Sequence, residues 1–349
     1  MEQFNRVKIM ERSFRLDLMR LLGLLLIIFA HIGPPNALFQ IRTFDVPMMI
    51  FVSGVAYYIS SPSFFSWKIY YIKRVSRLLF PVWCFFALFY GVVYLFDIKV
   101  FSEYLKWNMI FSTFLLNGFG YLWIIRIFII IAILAPFIVM FFRTKTFYFD
   151  VSVIILSIFA TTIADYYFIH MNNKYARYIV VDILLPALTY SSIFILGYKW
   201  HAYTRFDKNT VGFVFLIFLI VAQVYMLFEQ QGIIQPQNFK YPPTIIYISF
   251  SIVMIVILDF ILKSCFDNTA SSKYKCIIFL SSNTIWVYLW HIPIVEYFKL
   301  TDDKLEWYVK YAIVVCISFL ITFLQVYIIK WIVRQNPCKL KFLKVIFTG

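Results

Sequence analysis

Ten stretches of about 20 mostly apolar residues follow one another along the chain, and this pattern restricts its fold more than any other feature. Each stretch can cross the roughly 30 Å hydrocarbon core of a bilayer as a helix. Because lipid satisfies no backbone hydrogen bonds, only helices and closed barrels cross it. The sequence therefore predicts an all-α polytopic integral membrane protein. Its expected spans are approximately residues 14–32, 44–61, 78–96, 121–142, 149–169, 178–199, 211–228, 244–262, 276–297 and 307–332.

The composition excludes a soluble globular protein. Of the 349 residues, 62% are hydrophobic and 14% are charged, whereas soluble domains average about 45–50% and about 25%. A core cannot hide this excess, because a chain of this length buries only roughly three quarters of its surface. The ten spans leave only short loops between them. We therefore expect a single membrane-embedded domain over residues 1–349, without an additional soluble domain.

Lysine and arginine are distributed unevenly across the predicted membrane. The net charge is +15, with 32 basic residues against 17 acidic ones. When the loops are assigned to alternate sides, 21 basic residues fall on the side of the N-terminus, 8 on the other side and 3 inside spans. Cytoplasmic loops are enriched in Lys and Arg, so both termini are predicted to be cytoplasmic. Membrane topology explains the basic excess, and no nucleic acid partner is expected.

The cysteines and the N-terminal segment exclude other classes. The five cysteines form no Cys-x-x-Cys pair and have no histidine at zinc spacing, so neither a metal site nor a disulfide framework is expected. The first apolar stretch follows a basic segment and has no small-residue cleavage site after it. We expect an uncleaved first span rather than a signal peptide.

Ionisable residues inside the predicted spans are the main pointers to a site. Each costs about 2–3 kcal/mol on insertion scales, so such residues tend to face an interior cavity and to serve a function. These residues are Asp17, Arg20 and His31 in the first span, Arg126 in the fourth, and His291 and Glu296 near the outer end of the ninth.

Arg20 and His31 are eleven residues apart, which places them on one helix face, about 16 Å apart along the axis. Asp17 is three residues before Arg20 and can pair with it. Such a stripe suits a substrate with an anionic cytoplasmic part and a reactive end deeper in the membrane. Structural alternatives are an ion pair at the helix start for Asp17 and Arg20, a core histidine for His31, and a merely solvated Glu296.

Five segments carry a further pattern: RLDLMRLLGLLLIIFAH (Arg15–His31), FDVPMMIFVSGVAYY (Phe44–Tyr58), KRVSRLLFP (Lys73–Pro81), GYLWIIRIFII (Gly120–Ile130) and SNTIWVYLWHIP (Ser282–Pro293). In this order they resemble the acyltransferase 3 family of bacterial integral-membrane O-acyltransferases, over nearly the whole chain. The first segment is similar to the family's signature of an arginine, ten residues and a histidine, and the third to its Arg-x-x-Arg segment. The fourth departs from the family's Leu-Trp-Phe-Leu element at Ile124 and Ile125.

The resemblance implies a multi-pass enzyme of the bacterial cytoplasmic membrane. It would move an acyl group, usually acetyl, from cytoplasmic acetyl-coenzyme A to a hydroxyl of a cell-envelope carbohydrate or lipid-linked sugar. Acetyl-coenzyme A is then a donor substrate, and no permanently bound cofactor is expected. Some relatives carry an extracytoplasmic hydrolase-like domain after the last span, which we do not expect here.

This reaction suggests roles for individual residues. Coenzyme A is polyanionic, and the guanidinium group binds phosphate well. His31 is the expected general base, because imidazole titrates near neutral pH, although a transient acyl-His31 remains an alternative. Asp17 is expected to support Arg20. The expected donor-binding residues are Arg20, Arg74 and Arg77, and the candidates for oxyanion stabilisation or substrate positioning are Arg126, Tyr288 and His291.

Two other function classes remain open at this point. A transporter or flippase of lipid-linked glycans would also have many spans and buried Arg and His, but the sequence has no pair of matching halves with broken helices. The other class is a structural or sensor protein of an envelope-assembly complex, which would have no activity.

Overall fold

The computed structural model describes residues 13–60, 66–168, 173–266, 274–301, 304–335 and 337–348. All regular structure in these residues is helical. The α-helices are α1 (Phe14–Ala30), α2 (Asn36–Ile41), α3 (Asp45–Ser60), α4 (Trp67–Leu95), α5 (Trp107–Phe114), α6 (Leu122–Phe142), α7 (Phe147–Phe168), α8 (Lys174–Arg177), α9 (Leu185–Lys199), α10 (Arg205–Phe228), α11 (Ile245–Phe266), α12 (Lys275–Ser282), α13 (Thr284–Leu300), α14 (Trp307–Gln335) and α15 (Pro337–Phe347). Short 3-10 helices cover Arg42–Phe44, Lys99–Leu105 and Pro236–Phe239, and Tyr178–Leu184 is π-helical.

The predicted all-α polytopic fold is confirmed. Eight helices of the described chain are long and apolar enough to cross a membrane, and α12 with α13 raises the number to nine if this bent pair is one span. The remaining predicted span corresponds to α1, whose 17 residues rise about 26 Å. The count of ten and the cytoplasmic position of both termini stay predictions. Residues 1–12, which hold most of the basic tail, lie outside the described residues.

The third span differs from its prediction. We expected residues 67–78 to precede a span that starts at residue 78, but α4 is one helix of 29 residues. Nothing between residues 67 and 78 stops a helix, since this segment contains neither Gly nor Pro. Arg74 and Arg77 therefore lie within α4, where Arg74 is half-buried and Arg77 is exposed.

The ninth span is broken, which the sequence prediction of a continuous helix over 276–297 did not include. The axes of α12 and α13 meet at 74° across Asn283. The Asn283 side chain donates to the carbonyl of Phe279 at 2.7 Å, and the Ser282 hydroxyl donates to that of Ile278 at 2.7 Å. Such polar side chains compete with the backbone for helical carbonyls, and the Ser-Ser-Asn-Thr sequence concentrates them at one point.

Helices α3 and α9 form the most closely packed pair. A Cβ added to Gly54 would lie 2.3 Å from the carbonyl oxygen of Phe194, and a Cβ added to Gly197 would lie 2.1 Å from that of Phe51. Membrane helices approach this closely only where small residues face each other. Helix α1 also packs against α3, and residues of all three helices line the main cavity.

Candidate active site

A cavity of about 500 Å³ lies between α1, α3, α4, α6 and the α12–α13 break. On α6 its lining extends from Ile124 to Ala135, which is about 16 Å along the helix axis. The middle of the lining is apolar. The polar and basic lining residues are Arg20, Ser53, Tyr57, Tyr70, Arg74, Arg77, Ser281, Ser282, Thr284 and Tyr288.

Three arginines that the sequence assigned to donor binding line this cavity together, although they come from two helices. Arg74 and Arg77 belong to α4, and Arg20 belongs to α1. Arg20 also pairs with buried Asp17 at 3.4 Å, as expected. Arg77 is exposed on the protein surface, so the cavity reaches the surface at its arginine-rich part. The Arg74 guanidinium lies 5.9 Å from the Tyr70 ring centre.

Tyr288 links the cavity to a cluster of two histidines. It lines the cavity, and its ring centre lies 4.8 Å from that of His291. Its hydroxyl donates to the carbonyl of Tyr121 at 2.5 Å. A phenol has one hydrogen to donate, so in this arrangement Tyr288 can accept a further hydrogen bond but cannot also stabilise an oxyanion. Of the two roles expected from the sequence, positioning is the one that this geometry fits.

His31 lies one helical turn beyond Ile27, which is the last α1 residue of the cavity lining. Its ring meets the Tyr121 ring edge-on at 4.5 Å and lies nearly parallel to the His291 ring at 5.5 Å. The Nε2 atom of His31 is buried and has no hydrogen-bond partner within the described chain. A buried imidazole nitrogen without a partner is unusual in a purely structural histidine, which favours a functional role.

His291 is fully buried on α13. Its Nδ1 is hydrogen-bonded to the backbone carbonyl of Tyr288. Because a carbonyl only accepts, Nδ1 must carry the hydrogen, and the lone pair of the neutral ring is then on Nε2. This Nε2 also lacks a hydrogen-bond partner among the described residues. The contact with Tyr288 therefore fixes the tautomer and the orientation of a second potential base beside His31.

A polar network closes the other side of the histidine cluster. Glu296 is buried and accepts hydrogen bonds from the hydroxyls of Tyr104 and Tyr121. Lys299 contacts the Tyr121 hydroxyl at 2.5 Å and Glu296 at 3.3 Å. Burial and the bond to Glu296 raise the pKa of Tyr104, which keeps its hydroxyl protonated. The structural alternative of a merely solvated Glu296 is therefore wrong, because this carboxylate holds the tyrosine that packs against both histidines.

Arg126 is not part of the main cavity. Its guanidinium donates to Asn117 at 3.2 Å and to the Tyr178 hydroxyl at 2.5 Å. It lines a separate cavity of about 70 Å³ together with Lys240. The structure thus places Arg126 apart from Tyr288, with which the sequence grouped it.

Comparison with known families agrees with this geometry. Residues 14–331 match the model of the acyltransferase 3 family, which is described as an acyltransferase domain. The chain belongs to this family. The acyltransferase match begins at the start of α1 and ends within α14, so it includes the cavity and the histidine cluster. No curated protein and no solved structure matches the chain. The protein is therefore a membrane acyltransferase by family and by its helical architecture.

Sequence reasoning missed two features of the acyltransferase. Tyr121 contacts both histidines, but an aromatic residue at a helix start carries no distinctive signal. Arg42, Asp45 and Lys240 form a buried ionic cluster, although Arg42 and Lys240 were counted only as loop charges. A carboxylate at the very start of a predicted span could have suggested such a partner.

Proposed function

We propose that the protein transfers an acetyl group from cytoplasmic acetyl-coenzyme A to a hydroxyl of a cell-envelope carbohydrate. The observation that carries this proposal is the continuity of the site. One cavity holds Arg20, Arg74 and Arg77, and Tyr288 at its boundary contacts the histidine cluster. An anionic donor with a long, less polar arm and a reactive thioester end fits such a path.

The arginines are suited to the phosphates of coenzyme A. A guanidinium forms charge-assisted hydrogen bonds to phosphate oxygens, often two at a time. Arg74 and Arg77 lie in the segment that charge counting predicts to be cytoplasmic, where coenzyme A is available. Arg20 is already paired with Asp17, so its share of the charge is smaller. The apolar middle of the cavity, with Leu24 and Ile131, suits the arm that leads to the thioester.

The histidines supply the proton transfer. In direct transfer, Nε2 of His31 takes the proton of the acceptor hydroxyl while that oxygen attacks the thioester carbon. The tetrahedral intermediate collapses, the carbon–sulfur bond breaks, and the coenzyme A thiolate leaves. The thiolate then takes the proton back from the His31 imidazolium, so the products are the ester, free coenzyme A and a neutral histidine.

His291 is suited to a supporting role in this step. Its oriented Nε2 can accept a hydrogen bond from the incoming hydroxyl and hold it beside His31. In the alternative with a transient acyl-His31, the same nitrogen would accept the acceptor proton in the second half-reaction. A reaction with acetyl-coenzyme A and no acceptor separates the two routes, because only the second releases a burst of free coenzyme A, about one equivalent per protein, before an acceptor is added.

The proposed reaction can be tested in the cell and with purified protein. Mass spectrometry should find acetyl esters on the envelope glycan of an expressing strain and not in a strain with the gene deleted or with His31→Gln. The matched control is His201→Gln, which makes the same change at a loop histidine stacked on Tyr58. A transporter would instead change the amount of exported glycan while the acetylation per sugar stays constant, and that result would refute the proposal.

A further inference from the structure

The buried ionic cluster at the start of α3 has an excess positive charge. Arg42, Asp45 and Lys240 are 3%, 1% and 4% exposed. Arg42 binds Asp45 at 2.7 Å, while the Lys240 ammonium contacts the same carboxylate only at 3.5 Å. Two cations thus share one carboxylate, which also accepts the backbone N–H of Val46. A buried charge without a full counter-charge costs several kcal/mol, so this cluster has capacity for a further anion.

The Lys240 ammonium uses only part of its hydrogen-bonding capacity. Within the described chain, Asp45 is the single hydrogen-bond acceptor of this ammonium, which has three hydrogens to donate. The ammonium is otherwise surrounded by aromatic rings, with the ring centres of Trp123 at 5.3 Å, Tyr241 at 5.7 Å and Tyr247 at 6.0 Å. Burial is the main cause that lowers the pKa of Lys240, which agrees with incomplete pairing.

The separate cavity of about 70 Å³ lies beside this ammonium. Lys240 and Arg126 both line it, and Nε of Arg126 is buried without a hydrogen-bond partner in the described structure. Asp182 is the acidic lining residue, but it is exposed and forms no ion pair with Lys240 or Arg126 in the described structure. The volume suits a substituent of the size of a carboxylate, not a sugar ring.

This cavity is adjacent to the histidine cluster. Trp123 lines it, and Tyr121, two residues earlier, packs against His31. Arg42 and Lys240 are also close enough to His31 to interact with it electrostatically. A group bound here would therefore belong to a molecule whose neighbouring atoms can approach the histidine cluster.

We infer that Lys240 and Arg126 bind an anionic substituent, a carboxylate or a phosphate, of the sugar that accepts the acyl group. This inference rests on the proposed acyl transfer to an envelope carbohydrate and specifies the acceptor as an acidic one. The loop that carries Lys240 is positioned for this role, because Gln237 binds both Arg42 and Gln40. Lys240 is therefore held in place before a ligand arrives.

Binding of the acidic group can be measured without the transfer reaction. The purified full chain in nanodiscs is unfolded thermally with methyl glucuronoside, methyl glucoside or inorganic phosphate, all at equal ionic strength. We expect glucuronoside to raise the unfolding temperature, the neutral glucoside to have no effect, and Lys240→Gln to abolish the shift. The phosphate arm shows which of the two anions the site prefers. Equal shifts with glucuronoside and glucoside would overturn the inference.

Lys240→Gln should fold, because it leaves Arg42 and Asp45 as a matched pair. If Lys240→Gln fails to fold, Arg126→Gln is tested instead, and it should also abolish the rise in unfolding temperature with glucuronoside. The matched control is Lys304→Gln, which removes a lysine charge at an exposed position predicted on the same side of the membrane. A shift that survives both Lys240→Gln and Arg126→Gln contradicts the assignment.

The transfer reaction gives the second test. The acceptors are an acidic polysaccharide and the same polysaccharide after reduction of its carboxyl groups. We expect kcat/KM to be at least about tenfold higher for the acidic form, since a hydrogen bond to a charged group contributes about 1.5–3 kcal/mol. Lys240→Gln should remove this preference without changing the KM for acetyl-coenzyme A.

The two hypotheses fail in different ways. Equal acylation of both polysaccharides refutes the acidic acceptor and leaves acyl transfer intact. Absence of acetyl transfer to any glycan refutes the proposed function, and the thermal shift with glucuronoside then decides whether the anion site exists.

Discussion

Replacing His31 with glutamine separates a catalytic role from a structural one. Glutamine keeps a hydrogen-bonding side chain of similar length, but it accepts no proton near neutral pH. Within the part of the chain that the structure describes, Nε2 of His31 has no hydrogen-bond partner to lose. Among the described residues, the ring contacts that the variant loses are those with Tyr121 at 4.5 Å and His291 at 5.5 Å. Aromatic pairs contribute about 0.5–1.5 kcal/mol each beyond burial, so we expect at most a modest loss of stability.

The expected effect on the reaction is much larger. A general base contributes about 10²–10⁴-fold to a rate, which corresponds to about 3–5 kcal/mol of activation free energy. His31 does not line the donor cavity, so the dissociation constant of acetyl-coenzyme A should not change. The variant should therefore combine nearly normal folding, normal donor binding and a loss of acyl transfer.

The assay measures transfer of labelled acetyl from saturating acetyl-coenzyme A to envelope glycan by protein in nanodiscs. Donor affinity and thermal unfolding are measured on the same preparation, and His201→Gln is the control. If folded His31→Gln retains more than about a hundredth of the wild-type rate, the lower limit given for a general base is not met. His31 would then be structural, and His291, with its oriented Nε2, would be the next candidate base.

Three further predictions concern the donor site, the packing and the topology. A double variant with Arg74→Ala and Arg77→Ala should bind acetyl-coenzyme A at least about tenfold more weakly, and the difference should be smaller at high salt. Unchanged affinity in a calorimetric titration would exclude both arginines from phosphate binding. Gly54→Ala should destabilise the protein by about 1–3 kcal/mol because of overpacking. Gly91→Ala is the control, because its added Cβ lies in open space, and it should not destabilise the protein. Thermal unfolding of both variants tests this prediction. Ile233→Cys in a cysteine-free background should react with an impermeant maleimide added to intact cells, and labelling only after lysis would contradict the predicted orientation.

The sequence predicted the helices well, because apolar runs of membrane length have few alternative conformations. The family resemblance and the chemistry of coenzyme A assigned Arg20, Arg74, Arg77 and Tyr288 to one reaction, and these four residues line the same cavity. Their roles stay predictions. The family signature in the first span singled out His31, and the structure adds its ring contacts with Tyr121 and His291. Its catalytic role stays a prediction.

Other features depend on tertiary packing and had no local signal. At the break, the Asn283 side chain donates a hydrogen bond to the carbonyl of Phe279, and a polar residue within a span predicts such a break only weakly. The network around Glu296 brings together residues as distant as Tyr104, and the pairing of Lys240 with Asp45 joins residues 195 positions apart. No periodicity within one segment reveals contacts of this kind.

The close approach of α3 and α9 at Gly54 determines which side of the donor cavity can move. Where two backbones touch, no side-chain layer remains that could rearrange, so the wall that carries Ser53 and Phe194 is rigid. The wall formed by α4 is joined to α6 through side chains instead of through touching backbones, since the hydroxyls of Tyr70 and Tyr71 donate to carbonyls of α6 at 3.0 and 3.1 Å. Entry of acetyl-coenzyme A should therefore tilt α4 outward while α3 and α9 stay fixed. A crosslink between α4 and α6 should then slow donor exchange more than a crosslink between α3 and α9.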